Sequence, residues 1–168
     1  MIGSSELAIR LARDEDFSAL WPILRDVIRA GETYALDPGL TRETVRDLWM
    51  QNPRATFVAE RNGEILGSYI LKTNQAGGGA HVCNCGYMVR EAARGQRIAR
   101  AMCLHSQDEA RAMGYLAMQF NFVVETNRGA VALWQSLGFE TVGRLPRAFR
   151  HPKVGLVDAR VMYKWLGD

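Results

Sequence analysis

The sequence predicts a single α/β domain built on a mixed sheet, and three observations carry that expectation. Apolar runs of strand length alternate with runs of helical spacing, a strand–helix–strand unit spans His81 to Val124, and hairpin signals flank that unit. At 168 residues with 48% hydrophobic side chains, the chain can bury one core without disulfides or metal.

Leu7–Leu11 reads as the first strand. Asp14 is placed as an N-cap, and Phe17, Leu20, Trp21, Leu24, Val27 and Ile28 follow at helical spacing until Gly31. Thr41 caps a second helix through Thr44, Val45, Leu48 and Trp49. Ala55–Arg61 and Glu64–Thr73 are strands joined by Asn62-Gly63, a pair that tolerates the positive φ of a two-residue hairpin. After the flexible turn Gly77–Gly79, His81–Val89 is a strand and Gln96–Met113 a helix stopped by Gly114. Leu116–Val124 is a strand, parallel to His81–Val89 because a right-handed crossover joins them. Arg128–Leu137 is a helix closed by Gly138, and Phe139–Arg144 and Leu156–Trp165 are the last strands. Pro146 and Pro152 bracket a long loop between these two, of a length that often serves as a lid.

Charge and composition exclude several classes. Twenty-one cations against 18 anions is no nucleic-acid footprint, and the basic stretch from Arg94 to Arg111 is interrupted by Asp108 and Glu109 without interleaved aromatics. No apolar run approaches the length of about 18 residues that a membrane helix needs, and the N-terminus lacks a secretory apolar core. Cys83, Cys85 and Cys103 have no C-x-x-C spacing and read as buried reduced thiols, which fits a soluble cytoplasmic protein with no metal.

The chemistry concentrates after Val89. Arg94-Gly95-Gln96-Arg97-Ile98-Ala99 opens a helix, where unpaired N–H groups and the positive end of the dipole favour phosphate. Arg94, Arg97 and Arg100 add charge around it, and the turn carries neither nucleotide-binding glycine fingerprint. Asn84 and Asn121 lie inside strands, where asparagine is depleted. Two readings stand for each: the amide satisfies backbone groups where parallel strands diverge, or it lines a reaction cleft.

Arg94–Ala99 resembles the pyrophosphate loop [QR]-x-x-G-x-[GA] of the GCN5-related N-acetyltransferase (GNAT) superfamily, with Arg97 where glycine is usual. Asn127-Arg128-Gly129-Ala130-Val131-Ala132-Leu133-Trp134-Gln135-Ser136-Leu137-Gly138-Phe139 resembles its N-x-x-A-x-x-[LF]-[YW]-x-x-x-G-F helix. The stretches His81–Tyr87 and Asn121–Asn127 further resemble yeast acetyltransferases that detoxify proline analogues such as azetidine-2-carboxylate.

The resemblance implies a GNAT-like acyl-CoA N-acyltransferase fold whose central parallel strands splay around CoA. It implies acetyl-CoA as cosubstrate, a small-molecule amine as acceptor, and room for a homodimer. By the same resemblance, Tyr87, Met88, Val89, Arg94, Gly95, Gln96, Arg97, Ile98, Ala99, Arg100, Asn127, Ala130 and Trp134 hold the cofactor. Asn84 orients the acceptor, Asn121 sits beside the reacting carbonyl, and Met88 or Val89 supplies a backbone N–H to the oxyanion. Tyr34, Arg147 and Phe149 are placed at the acceptor, with Arg150 and His151 nearby. Many relatives carry Tyr as a general acid where Trp134 stands, and indole cannot deliver a proton; no acid is therefore assigned. Glu125 is one option for a base, and His105 reads as surface or partly packed. Two other readings stay open: a protein N-terminal or lysine acetyltransferase, and a non-catalytic CoA sensor.

Overall fold

The computed structural model describes residues 5–168, whose strands form one sheet in the order β1-β2-β3-β4-β5-β7-β6. In chain order the elements are β1 (Ala8–Leu11), α1 (Phe17–Ala30), α2 (Arg42–Arg46), β2 (Ala55–Arg61), β3 (Glu64–Thr73) and β4 (Val82–Val89). There follow α3 (Ile98–Ala112), β5 (Ala117–Val124), α4 (Arg128–Ser136), β6 (Glu140–His151) and β7 (Gly155–Trp165). Only β4 and β5 pair in parallel; the remaining neighbours are antiparallel. The mixed sheet and its central crossover are as the sequence predicts.

Local chemistry explains most boundaries. Asn62 (φ 55°) and Gly63 (φ 76°) turn β2 into β3 with Arg61 opposite Glu64, a two-residue hairpin. Thr41 Oγ1 accepts the Thr44 N–H at 3.2 Å and caps α2. The cap of α1, however, is Asp16 rather than Asp14. Asp14–Asp16 form a short 3-10 turn, and the Asp16 carboxylate takes the Arg13 N–H at 2.6 Å and Arg10 of β1 at 2.8 Å. The second helix is also shorter than expected. It widens into a π-turn over Asp47–Gln51, which sets Trp49 in the core with its indole N–H on Ser68 Oγ at 2.9 Å.

The last two strands correct a larger expectation. What reads as a long loop is mostly β6, and the turn of the β6–β7 hairpin is confined to residues 152–154. Pro146 is tolerated because β6 is the sheet edge and its register breaks between Leu145 and Phe149. The long lid inferred from the two prolines is therefore absent from the described residues.

Two cores sandwich the sheet. One packs Leu71, Met102, Cys103, Phe120 and Trp134 on the α3/α4 face; the other packs Leu20, Leu24, Val45, Trp49 and Met88 on the α1/α2 face. A Cβ on Gly67 would lie 3.0 Å from Met102 Cε and 3.0 Å from the Met88 carbonyl oxygen, so glycine lets the head of α3 settle onto β3. All three cysteines are free and buried, as expected. Among the described residues no helix is long and apolar enough to cross a membrane, and no cluster of three or more His, Cys, Asp or Glu could hold a metal.

Candidate active site

Strands β4 and β5 stay paired for only two rungs, Val82↔Ala117 and Cys83↔Met118. Beyond them the strands part. The antiparallel ladder with β3 determines which groups of β4 face the opening. The Arg90 N–H donates to Leu66 O and the Asn74 N–H to Val82 O. The register is unbroken between them. Even-numbered residues of β4 therefore exchange both backbone bonds with β3, and odd-numbered residues turn theirs away. Cys85, Tyr87 and Val89 thus present N–H and C=O groups to the gap. Of the two residues expected to offer an oxyanion donor, Val89 faces it; the Met88 N–H is spent on β3, and the Met88 side chain is buried against α1.

The gap is closed at its base by a side chain. Asn84 Nδ2 donates to Gln119 O at 2.9 Å, on the residue just after the last paired rung. This is the carbonyl that a continued parallel ladder would have given to the Cys85 N–H. Asn84 accordingly satisfies backbone where the strands diverge. Its Oδ1, which has no partner among the described residues, points to the same face as Gln119 and Asn121. Asn121 links to Gln119 Nε2 at 2.8 Å and to Asn74 Oδ1 at 2.7 Å, forming a row of neutral amides on the α1/α2 face. Gln119 falls beside Asn121 by the two-residue spacing of a strand face, whereas Asn74 joins the row only through a bond across 47 residues that no local pattern encodes.

At the other end of β4 the gap opens into a cleft of about 730 Å³ lined by Val89, Ala93, Arg94, Gly95, Arg97, Ile98, Ala99, Arg100, Gly129 and Leu133. Most of these residues come from the arginine-rich turn. The helix begins two residues later than its apolar pattern implies, because Gly95 (φ 80°) and Arg97 (φ 61°) adopt left-handed backbone. The resulting turn bares the first amides of α3 toward the cleft. Glycine is usual in relatives at the Arg97 position, and its positive φ gives a physical reason. Gln96 lies outside the lining; its Oε1 accepts from Arg61 Nη1 at 2.9 Å. Gly129, the second residue of α4, is a cleft residue that no sequence pattern distinguishes from an ordinary helix glycine. A Cβ there would meet nothing within 4 Å, so local crowding does not require the glycine.

The other predicted residues divide between cleft wall and elsewhere. The Tyr87 ring packs on Trp134 at 5.0 Å, and its hydroxyl donates to Ser106 Oγ at 2.6 Å, that serine in turn donating to Cys103 O. Burial pushes the Tyr87 phenol well above its ordinary range. Trp134 also lies tilted against Phe120, with ring centroids 5.1 Å apart, and is buried. Asn127 begins α4 through its backbone, with its N–H on Val124 O, and Ala130 packs against the larger core. Glu125 is held in ion pairs, by Arg160 at 2.9 Å and Arg144 at 3.1 Å, in a groove on the far side of α4. His105 is partly packed, its Nδ1 on Tyr69 Oη at 2.8 Å.

Among the residues predicted for the acceptor, Tyr34 reaches β4. Its hydroxyl donates to Tyr87 O at 2.7 Å, and desolvation pushes its pKa upward. Phe149 is buried against Phe122, whereas Arg147 is exposed at φ 51° with its N–H on Asp158. The walls meet through Lys153 Nζ on Glu32 Oε1 at 2.6 Å, and that ammonium keeps the Glu32 carboxyl below its usual range. His151 Nδ1 accepts from the Lys153 N–H and shapes the turn that carries this lysine.

A chain with this geometry has close structural counterparts. A GCN5-related N-acetyltransferase from Kribbella flavida superposes with a TM-score of 0.91 at 47% identity, covering 95% of this chain and 97% of that one. The yncA protein of Salmonella typhimurium, solved with its cofactor acetyl-CoA, shares the fold at a TM-score of 0.82 and 22% identity over 98% and 96% of the two chains. N-acetyltransferase aca1 of Schizosaccharomyces pombe is 27% identical over 89% of this chain and 79% of its own length. The acetyltransferase (GNAT) family profile matches residues 14–139. The chain belongs to the GNAT family and is an acetyltransferase.

Proposed function

We propose that the protein transfers an acetyl group from acetyl-CoA to the amine of a small molecule, with an amino acid or proline analogue as the favoured acceptor class. The observation that carries this reading is the continuity of the unpaired edge of β4 with the amide-rich turn at the head of α3. The cleft suits the donor in shape and charge. Its volume falls within the ordinary range for small-ligand sites. Gly95 and Gly129 leave backbone approachable, and Arg94, Arg97 and Arg100 supply cations for phosphates. Bound there, acetyl-CoA supplies an activated acyl group with a thiolate as leaving group.

The residues contribute mainly orientation and electrostatics. Val89, facing the gap, is the backbone donor we assign to the developing oxyanion. A peptide α-amine with a pKa of about 7.7–8 is partly neutral near pH 7, but the amine of a free amino acid or a ring imine is more basic and must lose a proton before attack, a step we assign to water held by the Asn84 and Asn121 amides. Trp134 delivers no proton; a thiol pKa near 8.5 lets the sulfur depart as thiolate. The amide row of Asn84, Gln119 and Asn121 offers neutral donors and acceptors to the acceptor's polar groups. The Glu32–Lys153 bridge spans the walls between which an extended peptide would run, and this favours a small acceptor.

Purified protein with acetyl-CoA and a panel of proline, azetidine-2-carboxylate, other amino acids, polyamines and peptides tests the proposal by thiol release. Turnover on amino acids supports it. Turnover on peptides alone overturns the acceptor class, and CoA binding without turnover on any amine leaves a sensor.

A further inference from the structure

Tyr34 comes from the α1–α2 connection, yet its hydroxyl bonds to a carbonyl on the donor edge of β4. That edge offers a limited run of free rungs. From the phosphate end, Val89 comes first and Tyr87 next, two residues or about 7 Å further along the strand. The Tyr87 N–H remains open, but Tyr87 O is already occupied by Tyr34. Anything lying along β4 like an added strand must stop pairing there. Gly86 makes this seat possible, since a Cβ on it would stand 3.3 Å from Tyr34 Oη and 3.6 Å from its Cε1.

The space past Tyr34 is closed on its other sides as well. One rung on, the Asn84–Gln119 bridge ties the strands together. On the opposite face, Tyr87, Trp134 and Phe120 pack with ring centroids 5.0 to 5.9 Å apart. An acyl chain extending from the thioester meets a phenol ahead, an amide bridge behind it and packed aromatics to the side.

We infer that Tyr34, seated on Gly86 and bonded to Tyr87 O, is the stop that limits the donor's acyl group to about the size of acetyl. It is a specificity-determining residue on the donor, beyond its expected place at the acceptor. The inference rests on the reading of β4 as the donor edge.

Calorimetric titration with CoA, acetyl-CoA and butyryl-CoA tests it without knowledge of the acceptor. The wild-type protein binds butyryl-CoA at least tenfold more weakly than acetyl-CoA. Tyr34→Ala shrinks that ratio to less than threefold, whereas Tyr34→Phe, which keeps the ring, retains it. Tyr34→Leu serves as a second truncation with more packing, and circular dichroism checks that each variant is folded. Equal affinity of the wild type for both acyl donors overturns the inference, as does an unchanged ratio in both truncations. If free CoA binds the wild type in those cases, the donor site itself stands. Absence of CoA binding by the wild type removes the donor site and this inference together.

Discussion

Asn84 and Gln119 hold the two central strands together at the point where the backbone ladder gives out, side-chain amide to carbonyl at 2.9 Å. The contact fixes the amide orientation, because only the nitrogen end can donate to a carbonyl. The Asn84 side chain thereby shares the α1/α2 face of the sheet with Gln119 and Asn121.

Replacing Asn84 with Ala leaves the Gln119 carbonyl without its partner, a loss of about 1–3 kcal/mol if water does not replace it. Asn84→Asp puts a carboxylate against that carbonyl and is at least as destabilising. Both variants are expected to unfold at lower denaturant concentration and to lose more than tenfold in kcat/KM, with the KM for acetyl-CoA changing less than that for the acceptor. Denaturant melts paired with steady-state kinetics measure both. A variant that melts like wild type and keeps full activity would contradict the role of the bridge.

Arg97 combines two opposing effects at one position. Its left-handed backbone (φ 61°) costs an L-residue about 1–2 kcal/mol, while its guanidinium lines the cleft. Arg97→Gly relieves that strain and gives back part of the gain through the greater entropy of the unfolded chain. The expected outcome is a stability gain of up to about 1 kcal/mol together with several-fold weaker CoA binding. The salt dependence of binding should also flatten, since one cation fewer faces the phosphates. Calorimetry at two ionic strengths separates the backbone effect from the charge.

The same position shows what was legible beforehand. The phosphate turn and the mixed sheet were readable because they depend on local signals, namely periodicity, the Asn62-Gly63 turn and a small-residue segment before a helix. The Tyr34–Tyr87 bond spans 53 residues and the Asn74–Asn121 bond 47, and no local pattern encodes either. Pro146 of β6 misled for a related reason. Pro146 breaks a central strand but not an edge strand at a bulge, and edge position is a property of the whole sheet. Likewise, that Val89 and not Met88 turns its N–H to the gap depends on which residues pair with β3.

Trp134 packs between Tyr87 and Phe120, and its role there is to support the cleft. Trp134→Phe keeps an aromatic ring and removes volume, so a loss of a few kcal/mol in stability is expected, short of the 3–5 kcal/mol typical of Trp→Ala. With no proton to lose from the mechanism, kcat should fall less than tenfold and the shape of its pH profile should not change. A new basic limb in that profile would show that the indole had been aiding the leaving group.

Glu125 is an ion-pair partner of Arg160 and Arg144, which argues for a structural role over that of a base. Glu125→Gln leaves Arg160 without its carboxylate and Arg144 with Asp158 alone, at 3.8 Å, so a loss of about 1 kcal/mol in stability is expected, given their partial exposure. Turnover should stay within about twofold of wild type when measured well below the melting temperature. A drop of a hundredfold or more in kcat, with folding intact, would restore Glu125 as a base.

Asp16 ties the start of α1 to β1, accepting from both guanidinium arms of Arg10 and from the Arg13 N–H. The bond from Arg10 does most to hold its carboxyl below the ordinary carboxylate range. The sign follows from linkage. A carboxylate with a depressed folded pKa binds protons more weakly when folded, so its stabilisation is complete above the unfolded value of about 3.9 and fades as pH falls through the folded one. Asp16→Asn should therefore be less stable than wild type at pH 7, by roughly 1–2 kcal/mol for hydrogen bonds to a charged group that solvent partly screens. The difference should persist down to about pH 4 and close below it, as the wild-type carboxyl takes up its proton. Urea melts of the two proteins between pH 2.5 and pH 7 measure the gap directly. A gap that stayed constant across that range would show that shape and packing at Asp16, rather than its charge, secure the head of the helix.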